Sequence, residues 1–247
     1  MATETRTAFI TGAGKNIGRA IAFDLASQGI NVVVNGRADK PACEEVAAAV
    51  RGKGVRASVV MADVGIAAEA QSAAASALKE FGIIDIFVAN AAIRPDKAFL
   101  ETTADDWRRV MGTNLESAIH LSQAFLPGMI AKRWGRIVLI TGRNAMRGYP
   151  GHVTTSVAKH GLLGLTKTLS REFGGQGVTV NAISPGTIDT RGNSPSIAAR
   201  MAQAAKEIPV GRIGTSEEIA AVCGLLCSDG GAFVNGQMIG VNGGIDT

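Results

Sequence analysis

The residues from Thr11 to Gly18 have the composition of a phosphate-binding loop. They read TGAGKNIG and lie between a short apolar run and a stretch with helical spacing. Glycines permit a tight turn and let backbone N–H groups approach a pyrophosphate, and the N-terminus of the following helix adds a partial positive charge. The loop therefore predicts a dinucleotide site, with contacts at Gly12, Lys15, Asn16, Ile17 and Gly18.

A second group of chemically active side chains occurs near residue 150. His152, Thr155 and Lys159 are spaced by three and four residues, which places them on one face of a helix. An imidazole is a competent acid near neutral pH, whereas an aliphatic hydroxyl can hold a carbonyl by hydrogen bonding but is a poor proton source. Tyr149, the only tyrosine of the chain, lies on the loop before this helix. His152 and Tyr149 are therefore the candidate acids.

Composition limits the classes of partner. The 247 residues are 46% apolar and 19% charged, which is typical of a soluble globular protein. The net charge is +4, and the Lys and Arg residues form neither a run nor an aromatic-interleaved stripe. Nucleic acid is therefore not expected as a partner, and a small anionic ligand is the more natural interpretation of the charge.

Cysteines and apolar runs limit the compartment. Cys43, Cys223 and Cys227 make no disulfide framework, and the last two have no partner at zinc spacing, so buried thiols and no metal site are expected. The polar segment 1–6 lacks the apolar core of a signal peptide, and the longest apolar run, 83–93, is too short and too interrupted to span a bilayer. A cytoplasmic protein without a membrane partner is expected.

Short apolar runs alternate with helical stretches along the whole chain. Predicted strands cover residues 7–11, 31–35, 56–61, 84–89, 136–140, 179–183 and 238–241, and predicted helices cover 17–28, 41–51, 67–81, 104–133, 153–173 and 216–227. Strands that are apolar throughout indicate burial on both faces and hence a parallel sheet. The pattern predicts one α/β domain over 1–247, a doubly wound Rossmann fold with a parallel seven-stranded sheet and helices on both faces. The irregular stretch 187–212 within it is predicted to be a substrate lid.

These motifs together resemble the short-chain dehydrogenase/reductase family, in particular its 3-oxoacyl reductases, over essentially the full chain. Thr11, Gly12 and Gly18 match the family's glycine motif. Asn16 replaces the middle glycine, and Asn tolerates the left-handed region better than other non-glycine residues. The sequences DV at 63–64, ANAA at 89–92, PGTI at 185–188 and NGG at 242–244 extend the match. The resemblance implies further cofactor contacts from Asp63, Val64, Asn90, Lys159, Pro185, Gly186 and Ile188.

The end of the second predicted strand bears on the choice of cofactor. NAD enzymes place an acidic residue there to bind the ribose hydroxyls. This chain has Arg37, which can form a fork onto a 2′-phosphate, and Lys15 can add a second charge. Asp39 is interpreted as the N-cap of the next helix, with Pro41 in its first turn. NADP(H) is therefore predicted rather than NAD(H), the alternative being that Arg37 is a solvated loop residue.

The resemblance implies a catalytic set of Asn, Ser, Tyr and Lys, of which two members are replaced here. Asn114 and Lys159 occupy their family positions, Thr155 stands in the Tyr position, and Gly142 stands in the Ser position. In the family, Tyr supplies the proton, Lys lowers the pKa of that Tyr and holds the ribose, and Ser holds the carbonyl oxygen. A threonine hydroxyl is far less acidic than a phenol, so the ordinary proton source is missing.

Three explanations of the missing tyrosine stay open. His152, one helical turn before Thr155, can face the same cleft and act as the acid. Tyr149 can do so if its loop departs from the family's path. Alternatively, the carbonyl-reduction machinery is lost, and the chain binds NADP(H) as a structural or sensing ligand or catalyses a non-redox reaction. Packing or capping roles are the structural alternatives for His152 and Tyr149.

Arginines follow several predicted strands at their carboxyl ends, where ligands bind in open α/β sheets. They are Arg94, Arg143, Arg147 and Arg191. Together they can clamp a carboxylate or phosphate of a substrate, although surface loops also carry arginine for solubility.

Two functional hypotheses result. The first is an atypical NADP(H)-dependent oxidoreductase acting on a small, anionic carbonyl or alcohol substrate, which the retained Asn114 and Lys159 favour. The second is a redox-silent or non-redox member of the family, which the loss of the phenol and serine favours. The resemblance also implies a homotetramer in which the helices 104–133 and 153–173 pair across a two-fold axis.

Overall fold

The structure, a computed structural model, describes residues 5–190 and 201–246. Within these ranges, seven parallel strands form one sheet in the order β3-β2-β1-β4-β5-β6-β7. They are β1 (Thr7–Ile10), β2 (Asn31–Gly36), β3 (Ala57–Met61), β4 (Ile86–Ala89), β5 (Gly135–Ile140), β6 (Val178–Pro185) and β7 (Met238–Val241). The predicted α/β fold with a doubly wound, seven-stranded parallel sheet is confirmed.

Helices cover both faces of the sheet. They are α1 (Asn16–Ser27), α2 (Lys40–Arg51), α3 (Ala67–Phe81), α4 (Ala104–Met111), α5 (Ser117–Lys132), α6 (Val153–Phe173) and α7 (Ser216–Cys227). One face is covered by α1, α2 and α7, and the opposite face by α3, α5 and α6. In the part of the chain that the structure describes, every helix is too short or too polar to cross a lipid bilayer.

The strand sequences explain why helices pack on both faces. Successive side chains of a strand point to opposite faces of the sheet. In β1, Ala8 and Ile10 belong to the core beneath α1, whereas Phe9 belongs to the core on the opposite face. There Phe9, Phe87 and Phe125 form an aromatic cluster, with the Phe9 and Phe125 ring centroids 5.2 Å apart. A strand that buries both faces must be apolar throughout, which is the pattern that predicted a parallel sheet.

The predicted helix 104–133 is wrong in one respect. A five-residue π-helix, Gly112–Glu116, separates α4 from α5. It begins where Gly112 packs on the backbone of Gly65, and a Cβ on Gly112 would lie only 2.5 Å from the Gly65 carbonyl oxygen. Apolar spacing does not register the extra residue of a π-turn, so the pattern predicts one continuous helix.

The position of β1 locates the candidate site. β1 lies between β2 and β4, so the order of the strands reverses at this point in the sheet. In open α/β sheets, ligands bind beyond the carboxyl ends of the strands at such a switch point. The loop from Thr11 to Lys15 after β1 and the segment from Asn90 after β4 meet there.

Candidate active site

The loop after β1 turns sharply and leads into α1. Gly12 and Asn16 both have positive φ angles, 63° and 52°. The left-handed conformation expected at Asn16, the position of the family's middle glycine, is therefore confirmed. At Gly18, a Cβ would lie 2.4 Å from the carbonyl oxygen of Gly12. Glycine at this position lets α1 begin in close contact with the end of β1.

The N-terminus of α1 opens onto a cleft. Lys15 is the N-cap residue of α1, and its side chain makes no capping hydrogen bond. Because the first N–H groups of a helix have no partner within the helix, those of α1 can bind an anion. The cleft has a volume of about 490 Å³, which is within the usual range of ligand pockets. All the predicted phosphate-contact residues line it: Gly12, Lys15, Asn16, Ile17 and Gly18.

Asn90 holds the glycine loop in place. Its Nδ2 donates hydrogen bonds to the carbonyl oxygens of Thr11, at 2.9 Å, and Gly12, at 3.1 Å. Its own N–H donates to Oγ1 of Thr11 at 2.9 Å. Asn90 also lines the cleft. Its amide is therefore a positioning group for the loop that is predicted to bind the pyrophosphate.

The carboxyl ends of β2 and β3 form the other side of the cleft. Arg37 lies there with Asp63 and Val64. Nη1 of Arg37 is 3.7 Å from Oδ2 of Asp63, and 60% of the Arg37 side chain is exposed. Oδ1 of Asp39 accepts a hydrogen bond from the N–H of Ala42 at 3.1 Å. The prediction that Asp39 caps α2 is confirmed, and Arg37 lines the cleft.

The segment after β6 contributes less to this cleft than the resemblance implies. Gly186 is bonded through its N–H to β7, and Ile188 is buried and forms an isolated β-bridge with Gly214. Of residues 185–190, the cleft is lined by Thr190 alone. Pro185, Gly186 and Ile188 therefore stay predictions as cofactor contacts.

Asn114 lies in the π-helix and is buried. Its Nδ2 donates to the carbonyl oxygen of Ile93 at 2.8 Å, and its Oδ1 accepts from the N–H of Ile93 at 2.9 Å. Ile93 and Arg94 line the cleft. The Asn114 amide therefore holds the segment after β4 against the cleft.

Thr155 and Lys159 lie one turn apart on α6 and are almost completely buried, with 1% and 2% of their surfaces exposed. Nζ of Lys159 donates to the carbonyl oxygen of Ile140 at 2.6 Å. Burial, together with the nearby charge of Arg94, lowers the pKa of Lys159 to about 7. Oγ1 of Thr155 has no hydrogen-bond partner among the described residues. A buried hydroxyl without a partner is costly, so the packing around Thr155 leaves this polar atom unsatisfied.

The position of the family's serine has an unusual backbone. Gly142 has a φ of 129°, a conformation that residues with a side chain rarely adopt. Oγ1 of the neighbouring Thr141 donates to the carbonyl oxygen of Ile183 at 2.9 Å. The Thr141 hydroxyl is thus bonded to β6 and does not replace the missing serine.

The two candidate acids occupy different surroundings. His152 is the N-cap residue of α6, and its Nδ1 is 3.1 Å from the carbonyl oxygen of Pro95. The Tyr149 hydroxyl accepts a hydrogen bond from Nε of Arg147 at 3.1 Å. His152 is therefore anchored to the segment after β4, whereas Tyr149 belongs to an arginine cluster.

The structure does not bring together the four arginines that were predicted to bind a substrate anion. Arg94 lines the cleft, and Arg191 lies outside the described residues. Arg143 and Arg147 instead pair with the carboxylate of Asp246, at 3.1 Å and 3.4 Å. Two of the four predicted substrate arginines are thus held by an anion of the chain itself.

The chain has full-length relatives of known name. It is 37% identical over 245 residues to the 3-oxoacyl-(acyl-carrier-protein) reductase FabG of Pseudomonas aeruginosa, with 99% of each chain covered. It is 34% identical over 240 residues to the FabG of Staphylococcus epidermidis, covering 97% of this chain and 98% of the relative. A family model described as enoyl-(acyl carrier protein) reductase matches residues 12–246.

Solved structures of dehydrogenases have the same fold as this chain. The acetoin dehydrogenase YohF of Salmonella typhimurium superimposes with a TM-score of 0.91 at 30% identity, covering 98% of this chain and 96% of that one. A Sinorhizobium meliloti protein assigned to the short-chain alcohol dehydrogenases also matches with a TM-score of 0.91 at 30% identity, covering 97% of this chain and 96% of that one. The chain belongs to the short-chain dehydrogenase/reductase family. The resemblance stated from the motifs is confirmed, and so is the assignment to oxidoreductases.

The sequence analysis of this short-chain dehydrogenase/reductase did not predict that Asp246 pairs with Arg143 and Arg147. The residue is separated from Arg143 by 103 positions, and no local pattern marks it as a counter-ion. Among the described residues, no group of three or more His, Cys, Asp or Glu side chains could hold a metal ion.

Proposed function

We propose that the protein is an NADP(H)-dependent oxidoreductase that interconverts a small carbonyl compound and its alcohol. The observation that carries the proposal is the cleft beyond β1 and β4. There the glycine loop, the uncapped N-terminus of α1 and Arg37 face one cavity. The names of the relatives, 3-oxoacyl-(acyl-carrier-protein) reductase and acetoin dehydrogenase, describe enzymes of this reaction class.

The residues of the cleft fit a phosphorylated dinucleotide. The first N–H groups of α1 would bind the pyrophosphate, and Lys15 and Arg37 would bind a 2′-phosphate. The nearby carboxylates of Asp39 and Asp63 accept hydrogen bonds from the N–H groups of Ala42 and Gly65. When bound, the nicotinamide supplies hydride chemistry.

The chain itself must hold the substrate oxygen and supply a proton. Thr155 would hold that oxygen through its unpartnered hydroxyl. Lys159, with a pKa of about 7, can hold or release a proton near neutral pH. His152 is our first choice of proton donor, because its contact with Pro95 fixes the ring one turn from Thr155. Tyr149 is the second choice.

One observation favours a second candidate function, NADP(H) binding without redox chemistry. Neither Thr155 nor Lys159 is among the described residues that line the cleft, and both are almost completely buried. A substrate would reach them only after a rearrangement of the surrounding loops. A structural or sensing role for the nucleotide needs no such access.

The deciding experiment measures NADPH binding and NADPH consumption separately. Fluorescence titration reports binding, and the loss of absorbance reports turnover with simple ketones, keto acids and phosphorylated ketones. Consumption with any one class supports the oxidoreductase. Tight NADPH binding with flat traces throughout would favour the second candidate, and absence of binding would refute both.

We also propose that the protein is a cytoplasmic homotetramer, as the family resemblance implies. The sequence carries a net charge of +4 and its Lys and Arg residues form no run, so a small molecule is the proposed partner.

A further inference from the structure

Asp246 lies where the sequence argument placed the anion of a substrate. Its carboxylate is only 4% exposed, with Oδ2 3.1 Å from Nε of Arg143 and Oδ1 3.4 Å from Nη2 of Arg147. Both guanidinium groups also lie near the ring of Tyr149, at 5.7 Å and 5.5 Å from its centroid. Arg143, Arg147 and Tyr149 lie on the loop that follows Gly142, the position of the family's serine.

The segment that carries Asp246 is anchored on both sides. The carbonyl oxygen of Gly243 accepts a hydrogen bond from the N–H of Val210, in the described end of the predicted lid, at 3.3 Å. Asn242 packs against Gly186, where a Cβ would lie 2.6 Å from the Asn242 Cα. The segment that positions the Asp246 carboxylate next to the arginines therefore contacts both the end of the predicted lid, at Val210, and the loop after β6, at Gly186.

Charge balance limits what this cluster can bind. A carboxylate or phosphate is best held between guanidinium groups, and the Asp246 carboxylate already occupies that position. A second carboxylate brought there would meet the like charge of Asp246, whose side chain is only 4% exposed.

We propose that Asp246 is a specificity-determining residue, an internal counter-ion of Arg143 and Arg147 that makes the site select an uncharged carbonyl substrate over a carboxylate. This inference rests on the proposed function and replaces the anionic substrate predicted from the arginines alone. If Asp246 lost its charge, Glu207 would still act on Arg147, but Arg143 and Arg147 would lose the counter-ion that they share. A substrate carboxylate would then supply one, so the expected effect is a gain of anion binding.

The test compares a keto acid with its neutral ester, 4-oxopentanoate and methyl 4-oxopentanoate. Calorimetry measures the Kd of each compound for the NADP⁺-loaded parent protein and for the loaded Asp246→Asn variant. The parent should bind the ester at least as tightly as the acid. The variant should bind the acid about tenfold more tightly than the parent does, as expected for a gained charge-assisted contact. Its affinity for the ester should stay within about twofold of the parent value.

Two control variants accompany the comparison. Asp105→Asn removes a carboxylate that is 88% exposed on α4, and it should leave the ratio of the two Kd values unchanged. Asp246→Glu keeps the charge and should keep the parent's preference. A merely structural role of Asp246 would change the affinities for acid and ester equally.

Several results would overturn the proposal. One is acid binding to Asp246→Asn that is no tighter than to the parent, including no binding to either protein. Another is a parent that prefers the acid by about tenfold or more, which is measurable even if the variant does not fold. Asp246→Ser provides a second uncharged variant with the same expectation. Because the ratio is measured without turnover, an absence of NADPH oxidation would count against the proposed function and not against this inference.

Discussion

Replacing Arg37 with alanine should reduce the preference of the protein for NADPH over NADH. The guanidinium lies at the carboxyl end of β2 and lines the cleft. There it can form a fork onto a 2′-phosphate, which NADH lacks. The variant should therefore lose affinity for NADPH and keep its affinity for NADH.

The size of the effect depends on the exposure of Arg37. A hydrogen bond to a charged group contributes about 1.5–3 kcal/mol to stability or binding. The Arg37 side chain is 60% exposed and lies 3.7 Å from the Asp63 carboxylate. Solvent screening and this nearby anion both weaken its interaction with a phosphate, which places the effect at the lower end of the range. We expect the NADPH preference to fall by about 1.5 kcal/mol, or roughly tenfold in the ratio of the Kd values.

The assay is titration of each nucleotide by fluorescence in the parent and in Arg37→Ala. Arg108→Ala is a matched control, because Arg108 is 75% exposed on α4 and does not line the cleft. It should leave both affinities unchanged. Equal affinities of the parent for NADPH and NADH would refute the assignment of the cofactor. A variant with an unchanged ratio would assign the discrimination to other residues.

Four further predictions concern the catalytic end and the assembly. Gly142→Ser should lower the free energy of unfolding by about 1–3 kcal/mol because Gly142 has a φ of 129°; urea unfolding measures this, and a variant as stable as the parent would contradict it. His152→Ala should abolish turnover without changing NADPH affinity while Tyr149→Phe has little effect, and the opposite pattern of rates would assign the proton to Tyr149. The pKa of Lys159 is lowered from 10.5 to about 7. Between pH 7 and 10.5 the unfolded state therefore binds more protons than the folded state, and the free energy of unfolding should rise with pH. Urea unfolding of Lys159→Met should show a smaller rise with pH, and a rise equal to that of the parent would contradict the burial argument. Light scattering should give the mass of a tetramer, whereas a monomer at all concentrations would contradict the proposed assembly.

The sequence by itself determined the fold class and most of the predicted nucleotide end. The apolar strands and the helices between them indicated a parallel sheet before any contact was known. The positive φ of Asn16 and the capping role of Asp39 were both predicted from single side chains in a short stretch of chain. These features are local, because a turn, a cap or a buried strand depends on residues a few positions apart.

The catalytic end was decided by the tertiary structure. The burial of Lys159 and of Thr155 and the positive φ of Gly142 arise from how α6 and the loop after β5 pack against the sheet. The pairing of Asp246 with Arg143 joins residues 103 positions apart. Local spacing cannot predict such contacts, because they depend on the order of the strands and on which loops meet at one edge of the sheet. The same long-range packing places a carboxylate of the chain between arginines that the sequence had assigned to a substrate.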